Sequence, residues 1–207
     1  MLTKRITFPV LLGGLAALAL FAQAPNPTCK NCQATYIPKS ELDAYTAKEI
    51  KYSQVDLQVR DADIGKATVG IGMIHRGKLT VEQGKRAGIV AEHEQVSEVY
   101  HVVDGEATLV TGSGLVNPKK RPATERTVIY QNGPGYNADS ITNPETHHLK
   151  AGDIIVIPAG TGHWFTEIPD HITYMMVRID PDKILPTKSK EQSEADLKTV
   201  PDAPDRR

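Results

Sequence analysis

Two stretches carry residues whose types and spacing suit chemistry. The first is Gly88-Ile-Val-Ala-Glu-His93-Glu-Gln-Val-Ser-Glu98-Val-Tyr100-His-Val-Val-Asp-Gly105. The second, about fifty residues on, is Gly152-Asp-Ile-Ile-Val-Ile-Pro158-Ala-Gly160-Thr-Gly-His163-Trp-Phe-Thr-Glu167. His93 and Glu98 differ by five, so a single strand would throw them onto opposite faces. A turn at Glu94–Ser97 instead makes them neighbours at one end of adjacent antiparallel strands. Glu98, Tyr100 and Val102 then point inward, while Val99, His101 and Val103 point out. In the second stretch the small residues 159–162 form a tight corner, after which His163, Phe165 and Glu167 share a face. Bringing the stretches together yields two imidazoles and a carboxylate, a set that suits Fe(II), Mn(II), Ni(II), Cu(II) or Zn(II) with positions left open.

The surrounding elements must be strands. Val55–Arg60 alternates apolar and polar residues. Short runs at Ala67–Ile74, Gly88–Ala91, Glu98–Val103, Ala107–Thr111, Val128–Gln131, Ile154–Ile157, His163–Glu167 and Ile172–Ile179 continue at sandwich-or-barrel spacing. Asp104-Gly105 reads as a hairpin turn. Residues 112–146 form a Gly/Pro-rich excursion, read as a rim or lid around one strand. Ser40-Glu-Leu-Asp43 predicts a helix start, with a short helix over residues 41–51.

The chain has 207 residues, a net charge of -1 and 40% hydrophobic residues, enough for one domain with a real core. Near-neutral charge gives no electrostatic reason to expect a nucleic acid or an anionic membrane as partner. Residues 1–24 read as an export signal: Lys4 and Arg5, an apolar run from Val10 to Phe21, then Ala22-Gln-Ala24. The run is shorter than a bilayer span, so the protein is expected in the periplasm or secreted, without stable membrane insertion once the signal is removed. Residues 25–54 form a leader holding Cys29 and Cys32, a local disulfide in an oxidising compartment. That pair does not open a helix after a strand as a redox pair would, Gln33 stands where haem attachment needs histidine, and no second Cys pair completes a zinc site. Residues 55–180 form the β domain, and residues 181–207 a polar, solvated tail.

The two stretches resemble the paired motifs of the cupin superfamily, small antiparallel β-barrels of jelly-roll type that hold a metal or ligand inside. The second motif runs Gly-x5-Pro-x-Gly-x2-His-x3-Asn, and Gly152, Pro158, Gly160 and His163 match every spacing. In the first, Glu98 and Gly105 keep the expected interval, but Ala91 stands where one histidine of a His-x-His pair belongs. An alternative register makes His93 the first histidine and Gln95 the second. The final Asn is here Glu167. The resemblance implies an all-β barrel over residues 55–180 with a short N-terminal helix and disordered ends, and a divalent metal on His93, Glu98 and His163. It also implies a homodimer and a small-molecule ligand or substrate. Tyr100 and Glu167 are the candidates to move protons in dioxygenase, decarboxylase, isomerase or lyase chemistry. The competing class is a binding or sensing barrel without catalysis or metal, since a fold does not choose its function.

Overall fold

In the computed structural model the described residues are 27–29, 32–86 and 88–201. The expected export signal lies outside them. Among the described residues are α1 (Lys39–Tyr52), β1 (Leu57–Asp63), β2 (Thr68–Leu79), β3 (Val90–His93), β4 (Ser97–Val116) and β5 (Lys119–Lys120). They are followed by β6 (Gly135–Ala138), β7 (Ser140–Lys150), β8 (Ile154–Ile157), β9 (Gly162–Asp180) and α2 (Lys190–Lys198). Every strand pairing is antiparallel.

Two long strands organise the barrel. β4 and β9 pair from Ser97↔Ile179 to Gly112↔Gly162. The first part of β4 also pairs with β8, and its later part with β7. The later part of β9 pairs with β2, and its start touches β3 at Ala91↔His163. Each strand thus contributes to both walls, bending between them.

Asp104-Gly105 is that bend and not the hairpin its composition predicts. β4 continues through it as one strand, because β9 offers ladder partners on both sides, Thr173 and Ile172 before the break and Glu167 after. The irregular register there is a bulge. Gly105 is required: its φ is 77°, and a Cβ would sit 2.1 Å from the His171 carbonyl oxygen.

Alternation predicted the faces correctly along the first part of β4. Glu98, Tyr100 and Val102 are buried, and Val103 is 52% exposed. Tyr100 and Val102 join Ile74, Leu109, Phe165, Ile172, Tyr174 and Met176 in the barrel core. A second cluster, Tyr45, Val59 and Met73, lies beneath α1 on the outer face of β1 and β2.

Four local expectations are corrected. The excursion at 112–146 is mostly strand, with β4 reaching Val116 before β5, β6 and β7 follow. Val128–Asn132 is a π-helical turn where a strand was expected; its buried residues, Val128 and Asn132, are four apart, a helical and not an alternating period. α1 starts at Lys39 after Pro38, so Ser40 lies inside the helix and caps nothing. Within the expected polar tail, residues 190–198 form a docked helix. Ser189 and Gln192 make a capping box, and the buried Ser193 accepts at its carbonyl from the Tyr45 hydroxyl at 3.1 Å. Lys188 reaches Asp196 at 2.7 Å. Cys29 and Cys32 are joined as the expected local disulfide.

Candidate metal centre and its cavity

β3 and β4 are linked by Glu94–Val96, and this short connection brings His93 and Glu98 side by side. The corner before β9 delivers His163 to the same point. Two hydrogen bonds lock the corner onto the first stretch: the Gly160 amide donates to the His93 carbonyl at 2.7 Å, and the Ala159 amide to Ser97 Oγ at 3.0 Å. Gly160 has φ 81°, the left-handed conformation that favours glycine. The motif glycine therefore serves backbone geometry.

His93 Nε2 lies 3.4 Å from Glu98 Oε1, and His163 Nε2 lies 3.4 Å from Glu98 Oε2. The three residues are buried, and one ligand atom from each lies within 4.8 Å of the others. Burial alone would raise the Glu98 carboxyl, but His93, His163 and the Arg178 guanidinium outweigh it and hold the group well below the usual carboxylate range. Burial pushes His163 down to about 4, against the attraction of Glu98, so its imidazole is neutral near pH 7.

His163 Nδ1 sits 3.1 Å from the Thr161 carbonyl, which can only accept. The proton is therefore on Nδ1, and the Nε2 lone pair faces Glu98, as a metal ligand requires. His93 differs. Arg121 Nη2 lies 2.8 Å from His93 Nδ1, and a guanidinium can only donate. Neutral His93 thus carries its proton on Nε2, toward Glu98. The set fits a divalent metal once Arg121 releases Nδ1 and the proton moves there.

Tyr100 reaches the cluster, its hydroxyl donating to Glu98 Oε2 at 2.8 Å. Burial, then the charge of Glu98, raise that hydroxyl well above its ordinary value, so it is a proton donor at neutral pH. Glu167 does not reach it. The register breaks between Thr108 and Leu109, so Phe165 and then Ile168 turn into the core. Glu167 is half-buried opposite Thr108 and does not line the cavity. His101 is on the outer face, as expected. His147 and His148 bond Thr111 and Thr108 along the β4–β7 ladder. Trp164 donates to the Gly84 carbonyl at 3.2 Å and borders the cavity.

Three arginines were missed from sequence. Arg178 is 1% exposed, lies 3.8 Å from Glu98 through Nε, and pairs with Asp56. It continues the inward series Ile172, Tyr174, Met176, so a charge at an inward position was the available signal. Arg76 follows the inward Ile74 by the same rule. Arg121 had no such signal, lying in the Lys-Lys-Arg-Pro run of the excursion. The cavity over the cluster measures about 570 Å³, within the range of small-molecule pockets.

No protein-family model and no curated protein matches the chain. Solved structures do. A Bacillus halodurans protein aligns at 11% identity and TM-score 0.41, over 78% of this chain and 95% of that one. A cupin protein from Bacteroides fragilis aligns at 13% and 0.34, over 77% and 93%. An RmlC-like cupin family protein with a double-stranded β-helix fold, from Methanocaldococcus jannaschii, aligns at 14% and 0.32, over 63% and 85%. The chain's own geometry carries the fold: two bent strands shared between walls, glycines at the bend and the corner, and His93, Glu98 and His163 gathered inside. The chain is an antiparallel β-barrel whose two histidine-bearing stretches resemble the paired motifs of the cupin superfamily.

Proposed function

We propose that this barrel holds a divalent metal on His93, Glu98 and His163 and binds a small molecule in the cavity above it. The observation that carries this is the buried convergence of two imidazole nitrogens and an ionised carboxylate. A bound Fe, Mn, Ni, Cu or Zn ion would supply Lewis acidity or a dioxygen site. Around it, Glu98 holds its negative charge, His163 stays neutral, and the Tyr100 hydroxyl can donate a hydrogen bond to a ligand that displaces Glu98 as its acceptor. Oxygenase, decarboxylase, isomerase and lyase chemistry are all open to such a site. We further read the protein as exported, and as a homodimer. The dimer reading is supported by the exposed Ile154 and Val156 on strand β8.

A metal-free binding barrel is the second reading, favoured by the Arg121 contact on His93 Nδ1. Elemental analysis of the full chain purified after export separates the two. The metal reading expects close to one ion per chain, lost in His163→Ala. An empty site in both proteins would sink it.

A further inference from the structure

The cavity's unused feature is its charge. Its two buried carboxylates are committed: Asp56 to Arg178, and Glu98 to the histidines, Tyr100 and Arg178. Of its cations, Arg76, Lys78 and Arg86 take part in no ion pair among the described residues. Arg76 is the best placed of the three. It projects inward from β2, Cζ lies 5.3 Å from the centre of the Phe165 ring, and Nε donates to the Tyr174 hydroxyl at 3.2 Å. Those contacts engage Cζ and Nε, and Arg76 lines the cavity with its two terminal nitrogens in no hydrogen bond among the described residues. From there a line of contacts runs to the histidine cluster: the Tyr174 and Tyr100 rings lie tilted with centroids 4.5 Å apart, and Tyr100 donates to Glu98 at 2.8 Å.

A guanidinium held against an aromatic ring and by one hydrogen bond is preorganised for the two oxygens of a carboxylate. Few rotamers remain to be lost, and the low-dielectric wall strengthens the pairing. Lys78 and Arg86 at the exposed rim add a field that draws anions in. We propose that Arg76 anchors a small organic carboxylate, with the remainder of the ligand directed at the His93–Glu98–His163 cluster. The second half of this statement rests on the metal-site reading; the anchor itself does not.

The test titrates malonate, succinate, neutral malonamide and inorganic phosphate into the full chain by calorimetry, metal-loaded and EDTA-treated, with metal content measured on the same samples. Malonate or succinate should bind, and more weakly as salt rises. Malonamide should not bind. Arg76→Gln should weaken the carboxylate by about 10- to 100-fold in Kd, with metal content unchanged. Arg76→Lys keeps the stem and the charge without the fork, so it should fall between. It also keeps the test decisive if the glutamine variant fails to fold. Equal affinity in wild type and Arg76→Gln would overturn the proposal. So would a wild type that binds neither carboxylate, malonamide binding as well as malonate, or phosphate binding more tightly than either carboxylate. Arg76-dependent binding in metal-free protein would uphold the anchor while an empty site in native protein removed the metal reading, so the two failures are distinct.

Discussion

Replacing Glu98 by glutamine tests the centre of the site. The side chain is 1% exposed and its two oxygens face His93, His163, Tyr100 and Arg178 at 3.4, 3.4, 2.8 and 3.8 Å. Glutamine preserves the shape and one acceptor for Tyr100. It removes the charge that Arg178 and the imidazoles surround, and turns an amide donor toward a nitrogen that is itself a donor in His93. Removing one partner of a buried charge pair costs about 3–5 kcal/mol. Arg178 keeps Asp56, so the lower end, about 3 kcal/mol, is expected. For a chain of this size that is a fall of about 6–12 °C in Tm. The assay is thermal unfolding by circular dichroism at pH 7, first with EDTA and then with excess Zn(II) or Mn(II). Wild type should gain stability from metal, because a ligand bound only to the folded state stabilises it. Glu98→Gln should gain little. A metal-free variant as stable as wild type would refute the view that the carboxylate is held by its charged partners.

Two further outcomes follow from the same geometry. His163 is depressed in the folded chain to about 4, so its contribution is full above its unfolded value near 6.5 and is lost as pH falls toward 4. The loss amounts to at most about 3 kcal/mol, and the depressed Glu98 carboxyl acts in the same direction at lower pH. Urea midpoints of metal-free protein should therefore drop across that window, and the drop should shrink in His163→Gln; an unchanged slope would dismiss His163 as its source. Deleting residues 189–207 removes α2 with its partners for Tyr45, Lys48 and Val59, and should cost about 3 kcal/mol in urea unfolding, from two or three buried polar contacts. Ligand binding should survive, since α2 does not line the cavity.

Much of the site was legible in the sequence, because its signals are local. The spacing of Gly152, Pro158, Gly160 and His163 marks a corner whose geometry small residues dictate. The five-residue gap between His93 and Glu98 can bring both inward only through a turn, and strand alternation then assigns Tyr100 inward and His101 outward. The same alternation was carried past Phe165 to Glu167 and failed there. A register break against β4 inserts one residue and reverses the faces, and nothing local announces it.

What only the tertiary structure decided concerns partners distant in sequence. Asp104-Gly105 has the composition of a hairpin turn, yet it bends a single strand because β9 supplies partners on both sides of it. Residues 190–198 have the composition of a solvated tail, yet they dock because Val59 and Tyr45 offer their buried polar atoms a place. Arg121 and Arg76 reach the pocket, and Arg178 reaches Glu98, from three separate segments, so no spacing links them to His93. The tautomer of His93 follows from one of those arrivals. Local spacing names the groups that can do chemistry; the long-range packing of charged side chains around them sets the state in which they are held.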